Sequence, residues 1–83
     1  MDDYKKTMKI IRYYLKSSER SAIRDRNIFE SFCKGDIDVE TCKYRFCQSN
    51  EIPYKLKGLI SNECFTDWIR SLGYRDGLQD IQK

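Results

Sequence analysis

The chain has 83 residues, 40% of them hydrophobic and 35% charged, which is enough apolar material for one small core and excludes a disordered segment. We expect residues 1–83 to form a single helical domain, with no room for a cleft between two lobes. Residues 1–27 carry eight basic and four acidic side chains, a net charge of +4, whereas residues 28–83 carry a net charge of −1. The positive field is therefore expected at the N-terminal end.

The first predicted element is an amphipathic helix over residues 3–17. Its apolar residues recur with the period of a helix and form one arc, consisting of Tyr4, Met8, Ile10, Ile11, Tyr14 and Leu15. A basic stripe runs beside this arc at i, i+4, i+7 and i+11, formed by Lys5, Lys9, Arg12 and Lys16. Such a stripe can follow a phosphate backbone, and the alternative is an ordinary solvated helix face. A membrane-surface helix is less favoured, because a small core would bury the tyrosines of the arc.

Two more helices are predicted before residue 51. Ser18 is a suitable N-cap for the second and Gly35 a suitable stop, with inward positions at Ala22, Ile23, Phe29, Phe32 and Cys33. Asp36 or Asp38 caps the third, which ends near Asn50 and has its inward face at Val39, Cys42, Phe46 and Cys47.

The remaining segments are also helical in pattern. Pro53 suits the first turn of a short helix over residues 53–59, and Ser61 is an N-cap for a last helix that ends at Gly73. The inward positions of this last helix follow the i, i+3, i+4, i+7 pattern and are Phe65, Trp68, Ile69 and Leu72. No alternating pattern indicates a strand pair, so the predicted fold class is all-α, a bundle of four to five helices.

The residues that usually carry catalysis or bind metal are missing or badly spaced. The chain has no histidine, no glycine-rich phosphate loop and no pair of acids on one helix face, so we expect no enzyme activity and no cofactor. Four cysteines could in principle bind zinc, but they are separated by eight, four and sixteen residues without a Cys-x-x-Cys pair. We expect packing thiols rather than a metal site.

Residues 28–74 show an order of features that points to a known family. The features are Ile28, Phe29, Phe32, Cys33, Val39, Tyr44, Phe46, Cys47 and Asn50, followed by Ser61, Phe65, Ile69, Leu72, Gly73 and Tyr74. This order resembles the C-terminal winged-helix domain of the phage, plasmid and poxvirus type of primase-helicases. The resemblance implies a helix-turn-helix-like arrangement, with the segment after Ser61 as recognition helix, and DNA binding linked to the replication of a mobile element. Residues 75–83 are short and polar, so the wing is expected to be absent or vestigial.

The charge pattern modifies what this resemblance implies about the contact surface. The exposed positions of the would-be recognition helix sum to −1, which disfavours a polyanion, so the first helix is the better candidate. The predicted nucleic-acid-binding residues are Lys5, Lys9, Arg12, Lys16, Arg20, Lys55, Lys57 and Arg70.

Two functions remain open on the sequence alone. The first is a DNA-binding or replication- or transcription-associated accessory protein of a virus, phage or plasmid. The alternative is a protein-interaction module, an inhibitor or adaptor, favoured by the acidic C-terminal part and by Tyr13, Tyr54 and Tyr74 as exposed tyrosines. A homodimer is compatible with either function. Because no apolar run could span or enter a membrane, we expect a cytoplasmic protein, in the host cytosol if it is viral.

Overall fold

The computed structural model describes residues 2–74, which form five helices. These are α1 (Asp2–Tyr14), α2 (Glu19–Lys34), α3 (Val39–Ser49), α4 (Tyr54–Lys57) and α5 (Asn62–Ser71). No strand occurs within this part of the chain. The predicted all-α bundle is confirmed, and the predicted vestigial wing, residues 75–83, lies outside the described residues.

Side chains that the sequence identifies as N-caps begin three of the helices. Ser18 before α2 and Ser61 before α5 each accept a hydrogen bond from the backbone N–H three residues later. Of the two candidates before α3, Asp38 is the cap and accepts from the backbone nitrogen of Thr41 at 2.8 Å. Each cap satisfies an N–H group that the first helical turn leaves without a partner.

The ends of α2 and α3 share one backbone geometry but not one residue type. Gly35 ends α2 in the left-handed region with φ 88°, as the sequence predicts. After α3 the same region is occupied by Glu51, with φ 57°, and the N–H of Ile52 donates to the Cys47 carbonyl at 2.8 Å. A residue other than glycine costs about 1 kcal/mol at such a position. The backbone conformation at Glu51 therefore favours glycine, so the presence of glutamate at this position has to be explained by a contact of its side chain.

Aromatic rings from three helices form the centre of the core. Phe46 of α3 and Phe65 of α5 are fully buried, with ring centroids 5.3 Å apart. Phe29 of α2 contacts both, and it also contacts Trp68 and Tyr74 at 5.6 and 5.5 Å. These tilted and T-shaped pairs are the geometries that aromatic rings prefer. Tyr74, predicted as an exposed tyrosine, is instead partly buried against Phe29.

The inward face of α2 differs from the prediction. Ala22 and Ile23 were expected inside, but both are exposed, whereas Ser21 and Asp25 are buried. Asp25 faces inward because its carboxylate accepts hydrogen bonds from Asn50. Ile23 lies two residues away, about 200° around the helix, and so it faces solvent.

Helix α1 packs on α5, and a hydrogen bond joins the middle of α1 to the N-cap residue of α5. Met8 and Ile11 are buried, as predicted, and the Thr7 hydroxyl oxygen accepts from the backbone nitrogen of Ser61 at 3.0 Å. Tyr4 and Leu15 were also expected on the buried arc, but about half of each remains exposed. The buried stripe of α1 is thus narrower than the sequence predicts.

A long-range hydrogen bond fixes the chain just after the C-terminal end of α1. The helix stops at Tyr14 rather than at residue 17. Beyond that point the backbone N–H of Lys16 donates to the side-chain oxygen of Asn50 at 2.9 Å. None of the helices in residues 2–74 has the length and apolar character that crossing a bilayer requires.

Candidate nucleic-acid interface

A shallow depression of about 460 Å³ lies along the outer side of α1. We call its lining the basic face of α1, and it consists of Tyr4, Lys5, Met8, Lys9, Arg12 and Tyr13. The face exists because the buried stripe of α1 turns the adjacent basic positions outward. The structure therefore brings three of the predicted contact residues together in one concave surface.

The charges of this face are open to a ligand. Among the described residues, no carboxylate forms an ion pair with Lys5, Lys9 or Arg12. Among the side chains of residues 3–74, no acidic one lines the depression either. An unneutralised cluster of cations along a helix raises the local concentration of anions and suits a chain of phosphates.

Two tyrosines bound the basic face, and only one of them was predicted as exposed. Tyr13 is 80% exposed, and its ring packs edge-on against Tyr14 with centroids 4.9 Å apart and planes at 80°. Tyr4, assigned by the sequence to the core, is 50% exposed and lines the depression. Tyr4 and Tyr13 are nine residues apart, which places them half a turn apart around the helix axis. This spacing was the signal in the sequence that they flank the basic stripe on opposite sides.

The fourth cation of the stripe is neutralised. Lys16 lies after the end of α1, and its ammonium group is 3.0 Å from the Glu51 carboxylate. This pair explains what the side chain of Glu51 does at its left-handed backbone position. Lys16 is therefore not part of the basic face, although the sequence spacing places it there.

Three further predicted contact residues lie on other elements. Arg20 is exposed on α2 and lines a second depression of about 370 Å³, together with Glu19, Ile23, Arg24 and Asn27. Lys55 is exposed on α4. Lys57 pairs with Glu40 at 3.3 Å and lies 5.6 Å from the centroid of the Tyr54 ring. None of the three lines the depression on α1.

The last predicted contact residue, Arg70, is exposed in the final turn of α5. It shares the outer side of this helix with Glu63 and Asp67, which are also exposed. We call these three residues the acidic face of α5, since their formal charge is −1. Although α5 has the place in the chain of a recognition helix, two of its three exposed charges repel phosphate.

The comparisons with known proteins identify no relative of this chain. Comparison with protein-family models, with curated proteins and with solved structures finds no match. The resemblance to the winged-helix domain of primase-helicases stays a prediction. Helix α3 contacts α5, and the connection between them contains α4.

A buried polar cluster behind the basic face fixes the end of α1. The Asn50 side-chain amide nitrogen donates to both oxygens of Asp25, at 3.2 and 3.1 Å, and to the Phe46 carbonyl at 3.1 Å. Its side-chain oxygen accepts from Lys16, so Asn50 joins the segment after α1 to α2 and α3. The sequence resemblance singles out Asn50, and the structure explains it as a buried connector.

Burial governs the titration of this cluster. The pKa of Asp25 is raised, because burial disfavours its carboxylate form. Hydrogen bonding from Asn50, the neighbouring Ser49 hydroxyl and the charge of Arg24 act in the opposite direction without cancelling the effect. Asp25 is therefore a carboxyl group that folding makes harder to ionise.

A second buried group holds α3 against α5. Lys43 is only 5% exposed, and its ammonium group donates to the Ile60 carbonyl at 2.8 Å and to the Asn62 side-chain oxygen at 2.6 Å. Asn62 in turn donates to Glu40 at 2.9 Å. Burial lowers the pKa of Lys43. Lys43 is thus a structural cation and not a contact residue.

Proposed function

We propose that the protein is a DNA-binding accessory protein that holds phosphates on the basic face of α1 and performs no catalysis. The observation that carries this proposal is the arrangement of Lys5, Lys9 and Arg12 between two exposed tyrosines, with no acidic side chain of residues 3–74 lining the depression. A role in replication or transcription of a virus, phage or plasmid is the further proposal that the resemblance of residues 28–74 supports.

Several features support binding without catalysis. The chain contains no histidine. Residues 2–74 hold no group of three or more His, Cys, Asp and Glu side chains that could bind a metal ion. Burial raises the pKa of the Cys47 thiol, and it raises that of the Cys42 thiol to about 12. A buried thiol that resists ionisation is a poor nucleophile.

Binding through three cations has a defined salt dependence. Each neutralised phosphate contributes a slope of about −0.9 to the logarithm of affinity against the logarithm of salt, so three give about −2.7 for duplex DNA. This slope is smaller in magnitude than that of large repressors, because a contact surface of one helix neutralises fewer phosphates. The proposal therefore predicts a measurable salt slope for binding.

The proposal is tested by reversing charge on the basic face. Lys9→Glu combined with Arg12→Glu should weaken binding of a labelled oligonucleotide by at least about 100-fold at low salt, because two attractions of about 1 kcal/mol each become repulsions. The matched control is Arg26→Glu with Arg45→Glu, which changes net charge equally at exposed positions on α2 and α3. The control should stay within about fivefold of the wild type. Equal weakening in both variants, or no binding at 50 mM salt, would contradict the proposal.

A second candidate, a protein-interaction module, is supported by the acidic face of α5 and by exposed apolar side chains elsewhere. Tyr54 on α4, Leu59 and Leu72 are each at least half exposed. Tyrosine is enriched at protein interfaces. A pull-down that returns one stoichiometric protein partner after nuclease treatment, and loses it on changing α5, would favour this function over DNA binding.

A further inference from the structure

Tyr13 presents most of its side chain to solvent rather than packing within the protein. It is 80% exposed and lies beside Lys9 and Arg12 in the lining of the depression. Its neighbour Tyr14 is partly buried against the core and meets Tyr13 edge-on at 4.9 Å. In a T-shaped pair the edge of one ring meets one face of the other, so this contact covers at most one of the two faces of the Tyr13 ring.

Tyr4 supplies a second ring at the other end of the basic face. It lies nine residues before Tyr13, which is about 14 Å along the helix axis. Because nine residues also turn the helix by about 180°, the two tyrosines lie on opposite flanks of the three cations. The three cations lie between the two tyrosines in the sequence. Cations beside an exposed aromatic ring are the combination by which proteins hold an unpaired strand.

We infer that the ligand of the basic face is a single-stranded nucleic acid, with its phosphates on Lys5, Lys9 and Arg12 and a base stacked on Tyr13. This inference depends on the proposed function and narrows its substrate class. In a duplex the faces of the bases are already stacked on one another, so Tyr13 gains little there. An unpaired base offers a free face, and base stacking on an aromatic side chain is largely independent of sequence.

The test compares a 16-nucleotide single-stranded DNA, the single-stranded RNA of the same sequence and the corresponding DNA duplex, by anisotropy at 50 mM salt. At least one of the two single strands should bind more tightly than the duplex by about fivefold or more, since stacking adds to the charge contacts. The tighter of the two single strands identifies the natural source of the shared chemistry. A duplex bound as tightly as both single strands would overturn the inference.

Variants of Tyr13 separate stacking from charge. Tyr13→Ala should weaken single-strand binding roughly tenfold and duplex binding less than about twofold, whereas Tyr13→Phe should retain both within about twofold. Tyr44→Ala, an exposed tyrosine on α3, is the matched control and should leave both unchanged. Equal weakening of both ligands by Tyr13→Ala would overturn the inference. If binding in that case still depends on Lys9 and Arg12, the single-strand inference is wrong but the proposed DNA-binding function stands. If none of the three nucleic acids binds, the inference and the proposed function are both wrong.

Discussion

Helices α1 and α5 pack against each other, each with one buried side and one exposed side, yet their exposed sides differ in charge. The basic face of α1 has three cations and, among the side chains that the structure describes, no acid in its lining, whereas the acidic face of α5 has two carboxylates for one arginine. A helix-turn-helix interpretation would select α5, because of its place in the chain. For the proposed binding of DNA, the charge distribution favours α1 as the contact helix, because a polyanion responds to charge and not to the order of the helices in the chain.

Removing the Asn50 side chain releases the anchored end of α1. Asn50→Ala should lower the free energy of unfolding by about 2–3 kcal/mol, because it leaves the Asp25 carboxylate and the Lys16 N–H without their partner. Urea denaturation measures this change. Gln48→Ala, at an exposed neighbouring position, should stay within about 0.5 kcal/mol of the wild type. Similar values for both variants would show that Asn50 does not hold the end of α1.

A second prediction extends the basic face by one cation. Glu51→Gln should free Lys16 and tighten DNA binding by roughly two- to fivefold, with a salt slope more negative by about 0.7 for a single strand or about 0.9 for a duplex. Glu51→Gly should have the same effect on binding and should also stabilise the fold by up to about 1 kcal/mol, because glycine accepts the positive φ. Salt titrations and thermal unfolding separate the two effects. Unchanged affinity in both variants would place Lys16 outside the reach of the ligand.

A third prediction concerns the acidic face of α5. Neutralising it with Glu63→Gln and Asp67→Asn should change affinity by less than about threefold at 0.15 M salt, where charges more than about 8 Å apart are largely screened. The same measurement on the basic face of α1 gives the scale for comparison. A gain of tenfold or more on α5 would mean that this helix contacts the ligand.

The smallest expected effect is the pH dependence of stability that Asp25 contributes. Its folded-state pKa is raised above the unfolded value of 3.8, so its contribution favours folding at low pH and is lost as pH rises through the folded-state pKa. The exposed carboxyls of Asp38 and Glu40 have lowered pKa values and act with the opposite sign. Stability of the wild type relative to Asp25→Asn should therefore fall as pH rises above about 4. A difference that stays constant from pH 3 to pH 8 would contradict this account.

Features set by neighbouring residues could be predicted from the sequence. The caps at Ser18 and Ser61 and the stop at Gly35 depend on contacts within one turn, and all three were predicted correctly. The core positions Phe46 and Phe65 were also predicted, because helical periodicity identifies a buried side.

Features set by distant residues could not be predicted. Ile23 was placed in the core by its hydrophobicity, but a hydrogen bond to Asn50, 25 residues away, turned Asp25 inward instead. Lys16 was assigned to the basic stripe by its spacing, and its ion pair with Glu51 joins residues 35 positions apart. The sequence therefore predicted the presence and the sign of the candidate surface, and three-dimensional packing decided which cations belong to it.

Backbone amide shifts measured by NMR during titration with a single-stranded oligonucleotide test the central claim most directly, because α1 and α5 report separately in one experiment. The account predicts the largest shifts at residues 4–13 of α1 and small shifts at residues 62–71 of α5. Largest shifts on α5, with α1 unaffected, would contradict it.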